Sequence, residues 1–142
     1  MSTTPQPPLL FVRPGLAFWV EPAWSSTYAA TLQAFDEGCF DGTWCLDSVG
    51  VRWPILRAVL LRAPRFLDRL LPWRRVPVRL ELGQPDSEAW KLALEEVRRV
   101  LHSPGFDYEG ELPFEELESR LLTVRSPAAL VELAARAVKR AA

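Results

Sequence analysis

Histidine and methionine each occur once in this chain, and lysine and cysteine twice each. Those scarcities exclude more chemistry than any motif admits. His102, Cys39 and Cys45 are too few ligands, at an unusual spacing, for a structural zinc site. There is no Gly-rich phosphate loop, no Gly-x-Ser-x-Gly and no His-Glu-x-x-His, so no cofactor or metal is expected. No apolar run approaches the roughly 18–20 residues of a membrane span. The opening Met1-Ser-Thr-Thr-Pro-Gln-Pro-Pro lacks the basic and apolar regions of a signal peptide. The expectation is therefore a flexible tail over residues 1–8 and a cytoplasmic protein with both thiols reduced. A net charge of −1 supplies no global field for nucleic acid or an acidic membrane, and neither is an expected partner.

What is present is an ordinary globular composition. The 142 residues are 49% hydrophobic and 25% charged, enough for one domain, residues 9–142, with its own core. Fifteen of the 17 basic residues are Arg. That bias, with abundant Ala, Leu and Pro, points to a GC-rich bacterial genome. The clearest local structure is a hairpin: Thr43–Leu46 and Val51–Ile55 flank a turn that Asp47 opens and Gly50 closes. Leu9–Val12 pairs with Ala17–Val20 across Arg13-Pro14-Gly15. Ser25 or Ser26 caps a helix with Tyr28, Leu32 and Phe35 on one face and Gly38 as its stop.

Leu56 to Leu71 carries apolar residues at helical spacing, restarted at Pro64. Val76–Leu82 alternates apolar and polar as a strand, with Pro77 placing it at a sheet edge or a strand start. Three helices follow. Ser87–Leu101 carries Trp90, Leu94, Val97 and Leu101. The next starts at Pro113 with Leu117, Leu121 and Leu122 inward. The last is capped at Ser126-Pro127, with Leu130, Leu133, Ala134, Ala137 and Val138 as its stripe. The order gives an α+β domain: a small, mainly antiparallel sheet packed by helices, with a helical C-terminal half.

Charge is segregated along the chain. Arg52 to Arg79 holds eight arginines and one acid, Asp68, whereas Glu81 to Glu118 holds eleven acids against Lys91, Arg98 and Arg99. The arginines are expected to pair with the C-terminal glutamates or to be solvated. A basic amphipathic segment can also face anionic lipid, an acidic protein or, less well given its lack of Lys and Gly-rich loops, nucleic acid. Asp36, Glu37, Asp41 and Asp47 form an acidic cluster around the first hairpin strand. Paired carboxylates suit general acid–base work or a hard cation, but these lack the alternating acids of a calcium loop. Asp36 and Glu37 fit a helix end, and Asp47 fits the turn. Cys39 or Cys45 with His102 would supply a thiol nucleophile and its base, yet no nucleophile signature surrounds either thiol.

Six tryptophans in 142 residues are a surplus for one small core. Trp24 and Trp73 fall in loops and are the expected exposed ones. The pattern Phe35-x-x-Gly38-x-Phe40, then Asp47-x-x-Gly50-x-x-Trp53-x-Ile55, resembles small bacterial immunity-type proteins. That resemblance implies a cytoplasmic, non-enzymatic α+β inhibitor that neutralises a cognate toxin by stoichiometric binding. The expected contact uses Trp24, Asp36, Glu37 and Asp41, because clustered carboxylates suit a basic toxin domain. Two other readings stand beside it. One is a small hydrolase or transferase using Cys39, Cys45 or the acidic cluster. The other is an accessory subunit of a larger assembly, docking through the Arg52–Arg79 segment.

Overall fold

The computed structural model describes residues 4–38, 40–87, 90–104, 106, 108 and 110–137. Its elements are β1 (Leu9–Arg13), β2 (Ala17–Glu21), β3 (Thr27–Thr31), α1 (Leu32–Asp36), β4 (Trp44–Leu46) and β5 (Arg52–Leu60). They continue with α2 (Phe66–Leu70), β6 (Arg75–Leu82), α3 (Trp90–Leu101), α4 (Phe114–Leu122) and α5 (Pro127–Ala137). The strands form one antiparallel sheet in the order β2-β1-β4-β5-β6-β3. The protein is a small α+β domain with a helical C-terminal half. Among the described residues no helix is long and apolar enough to cross a membrane.

The sheet curls strongly. Phe11 of β1 and Tyr28 of β3 are separated by three intervening strands, which at ordinary spacing in a flat sheet would set them about 19 Å apart. Their ring centroids lie 5.7 Å apart, edge to face. The concave side therefore closes over its own core of Leu9, Phe11, Cys45, Trp53, Ile55 and Leu80, flanked by Trp19, Trp24, Tyr28 and Phe40. The convex side buries Leu10, Val12, Phe18, Trp44 and Leu46 under α3, α4 and α5. Two cores on one sheet explain why Leu9 to Val12 is apolar without alternation: both faces of β1 are covered. Trp44 and Leu46 point to one core and Cys45 to the other, as strand geometry demands.

Two segments that read as helices are largely strands. Thr27–Thr31 pairs with β6, and only Leu32–Asp36 is helical, capped by Thr31 rather than by Ser25 or Ser26. Thr27, Tyr28 and Thr31 have the branched and aromatic character that strands favour, and the sheet contact overrides the spacing of Tyr28, Leu32 and Phe35. Likewise β5 runs on to Leu60, with its register shifted between Ile55 and Arg57. That bulge shifts the inward set from Trp53 and Ile55 to Ala58, so Leu56, Val59 and Leu60 imitate helical spacing. The helix beyond it begins at Phe66, not Pro64.

Pro77 takes the second of its two allowed placements. Strand β6 is paired on both sides, and the Pro77 carbonyl accepts from Leu61 N–H at 3.1 Å, one residue beyond the last β5 pair. The missing N–H falls where β5 runs out. Leu122 faces solvent at 67% exposure while Leu121 is buried. Consecutive helical residues are about 100° apart, so both could not point inward. At the N-terminus, where the sequence reads as a flexible tail, Gln6 is tied to the hairpin turn. Its N–H donates to Asp47, and its carbonyl accepts from the Ser48 backbone and hydroxyl. Glu88, Ala89 and Val138, expected in helices, lie outside the described residues.

Candidate functional site

The sequence-predicted acids gather where α1 ends. Thr31 Oγ1 accepts from Ala34 N–H at 3.1 Å and starts this short helix. Gly38 stops it in the left-handed region at φ 70°. The chain turns back through Asp41 N–H, which donates to the Gly38 carbonyl at 2.9 Å and lays the Asp41 side chain over the glycine. Asp36, Glu37 and Asp41 are all exposed and border an open cleft of about 300 Å³, with Phe35, Phe40 and Ala58 as its apolar lining. Arg57 also borders it, but its guanidinium is committed to Glu81, Nε to Oε2 at 2.5 Å. That hydrogen bond raises Arg57 and holds the Glu81 carboxyl below its usual range. Among the described residues no cation lies within 4 Å of the three cleft carboxylates, so their charge is presented outward.

Trp24 is not with them. It precedes β3, whereas α1 follows that strand, and five extended residues separate the two by about 16 Å. The indole is half-buried against Tyr28, with ring centroids 6.2 Å apart, at the rim of the concave core. Trp73, by contrast, is 71% exposed. Asp47 is structural: at 1% exposure its carboxylate accepts from the N–H groups of Gln6, Val49 and Val51 and from the Trp53 indole.

The thiol and the imidazole do not meet. Cys45 is fully buried in the concave core, and burial, then the nearby Asp47 charge, pushes its thiol up to about 12. A neutral thiol of that kind is a poor nucleophile. His102 stands exposed on the helical side at the end of α3, paired with Glu118 and edge-on to Phe114. Cys39 lies outside the described residues. Among the described residues no group of three or more His, Cys, Asp or Glu is placed to hold a metal ion.

Among the described residues the arginine-rich segment pairs with the acidic one at its start, Glu81 and Asp86, and with its own Asp68. Arg52 pairs with Asp86, Arg57 and Arg79 with Glu81, and Arg62 and Arg74 with Asp68. Asp68 is the hub of the β5–β6 loop: its buried carboxylate accepts from Arg62 at 2.6 Å and from Arg65 N–H at 2.7 Å, and forms an ion pair with Arg74 at 2.9 Å. The Arg62 hydrogen bond foremost, then the Arg65 N–H, holds that carboxyl well below the usual carboxylate range. Because Asp68 points inward, α2 turns its apolar residues outward, with Phe66 75% and Leu70 58% exposed. Helical spacing groups those residues on one face but does not say which way that face points. The available signal was a single acid among eight arginines, which suits a buried counter-ion better than a solvated side chain. A second cleft, about 400 Å³, runs between α1 and the Asp68–Arg69 flank of α2.

Comparison of the chain with protein-family models, with curated proteins and with solved structures gives no match.

Proposed function

We infer that this protein acts by stoichiometric, non-enzymatic binding to another protein, as an immunity-type inhibitor that neutralises a cognate toxin domain. The observation that carries the reading is the grouping of Asp36, Glu37 and Asp41 on one open, unneutralised cleft edge at the end of α1. Toxins that act on nucleic acid need basic surfaces to hold phosphate, and an acidic patch steers and orients such a target. The cleft's apolar lining supplies contact area between those charges. The cytoplasm is the compartment this reading implies. Trp24 enters as a second contact at the opposite end of β3, reached by a partner that spans the concave side.

The test is capture of partners from the source cell on the immobilised protein, followed by charge reversal. Asp36→Lys, Glu37→Lys and Asp41→Lys together should abolish capture while the thermal unfolding midpoint is kept, because all three side chains are exposed. Added salt should slow association, since surface attraction is screened beyond about 8 Å at physiological ionic strength. Capture of no partner, or of one indifferent to both reversal and salt, overturns the reading.

A further inference from the structure

We propose that the β5–β6 loop docks this protein on an anionic lipid surface, with Phe66, Leu67, Leu70 and Trp73 entering the interface. The starting point is the inverted polarity of α2. At 100° per residue Phe66, Leu70 and Leu67 fall within about 100° of one another, with Asp68 on the opposite side. A surface helix ordinarily turns its charge to water and its apolar stripe to the core. Here the Asp68 side chain is wholly buried, while Phe66 is 75%, Leu67 45%, Leu70 58% and Trp73 71% exposed. The inversion is held in place, because Asp68 binds Arg62 before the helix and Arg74 after it.

Charge selects the occupant. Asp68 is the only acid between Leu61 and Arg75, and it faces inward. Every charge the loop presents outward is therefore positive. The guanidinium groups of Arg65, Arg69 and Arg75 have no carboxylate within 4 Å among the described residues. Aromatic and leucine side chains ringed by arginines match a headgroup layer above acyl chains, where Trp settles at the boundary and Arg meets lipid phosphate. Asp36 and Glu37 lie at the same end of the sheet. They line the cleft on the Asp68–Arg69 flank of α2, which does not include Phe66, Leu67 or Leu70.

The test is co-sedimentation of the full chain with vesicles of phosphatidylcholine alone, and with about a third replaced by phosphatidylglycerol. The protein should partition onto the anionic vesicles and not the neutral ones, and less at high salt. Phe66→Ser with Trp73→Ser should weaken partitioning at least tenfold, and so should Arg65→Glu, Arg69→Glu and Arg75→Glu together. Circular dichroism should show both variants folded, since every altered side chain is exposed. The proposal is overturned if the wild type stays in the supernatant, or binds both vesicle types alike. It is equally overturned if the charge variant alone loses binding, which would mean adsorption without insertion. A wild-type dimer that Phe66→Ser with Trp73→Ser dissociates would assign the patch to self-association and overturn it too.

Discussion

The Asp47 carboxylate accepts the Trp53 indole N–H at 3.2 Å, joining the turn of the hairpin to the strand that leaves it. Three backbone N–H groups, from Gln6, Val49 and Val51, donate to the same carboxylate. Asp47→Ala should cost about 3–5 kcal/mol, because it leaves several buried donors unpaired at once. Asp47→Asn should cost less, about 1–3 kcal/mol, since one carbonyl oxygen remains while the amide NH₂ opposes donors. Urea unfolding with an unchanged m value is the check. Losses under about 1 kcal/mol for both would show that water replaces the carboxylate.

That hairpin was legible because its determinants are local: Asp47 and Gly50 lie within one turn, and the alternation of Trp44, Cys45 and Leu46 assigns the two faces. The acidic cleft was legible for the same reason, since Asp36, Glu37 and Asp41 span six residues. Trp24 groups with the acids by closeness in sequence alone: a helix over Ser25–Gly38 would set it about 18 Å from Asp36, and the five extended residues of β3 set it about as far from α1. The polarity of α2 was hidden more deeply. Periodicity marks which side chains share a face but not which way that face points, and only the ion pairs of Asp68 decide it.

Two glycines separate backbone strain from crowding. Gly15 has φ 74° and open space where a Cβ would go, whereas Gly50 has φ 94° and would set its Cβ 2.8 Å from Pro127 Cγ. Gly15→Ala should cost about 1–2 kcal/mol, the ordinary penalty of the left-handed region for an L-residue. Gly50→Ala should cost more, about 2–4 kcal/mol, because a proline ring at the start of α5 has to give way as well. Equal losses in thermal or urea unfolding would mean that α5 shifts freely and that its first turn does not brace the hairpin.

Alkaline pH should destabilise the fold through its concave core. Burial raises Cys45 from an ordinary value of 9.0 to about 12, and burial with the Glu21 charge raises Tyr28 from 10.0 to about 12. Both groups stay neutral in the folded state while they ionise in the unfolded chain. Stability is thus full below about pH 9 and falls as pH rises towards 12. Cys45→Ala should flatten the lower part of that decline, and the Cys45 thiol should resist alkylation at neutral pH until the protein unfolds. Mass spectrometry of the peptide carrying Cys45 reads this directly, and rapid native alkylation would contradict its burial.

Acid should act elsewhere, on the β5–β6 loop. The Asp68 carboxyl is held well below the usual carboxylate range by Arg62, by the Arg65 N–H and by Arg74, and Glu81 is lowered by Arg57 and Arg79. An unfolded aspartate titrates near 3.9, so the folded state resists protonation of Asp68 more than the unfolded chain does. Its contribution to stability is complete above about pH 4 and is lost as pH falls further. Asp68→Asn should remove part of the acid slope and leave the Glu81 part. At neutral pH the same change strips Arg62 and Arg74 of their shared counter-ion and frees both ends of α2. Trypsin should then cut at Arg65 or Arg69 several-fold faster than in the wild type, while the global unfolding midpoint moves less. Cleavage at the wild-type rate would mean that the loop keeps its shape without the carboxylate, and that the outward face of α2 is set by its neighbours alone.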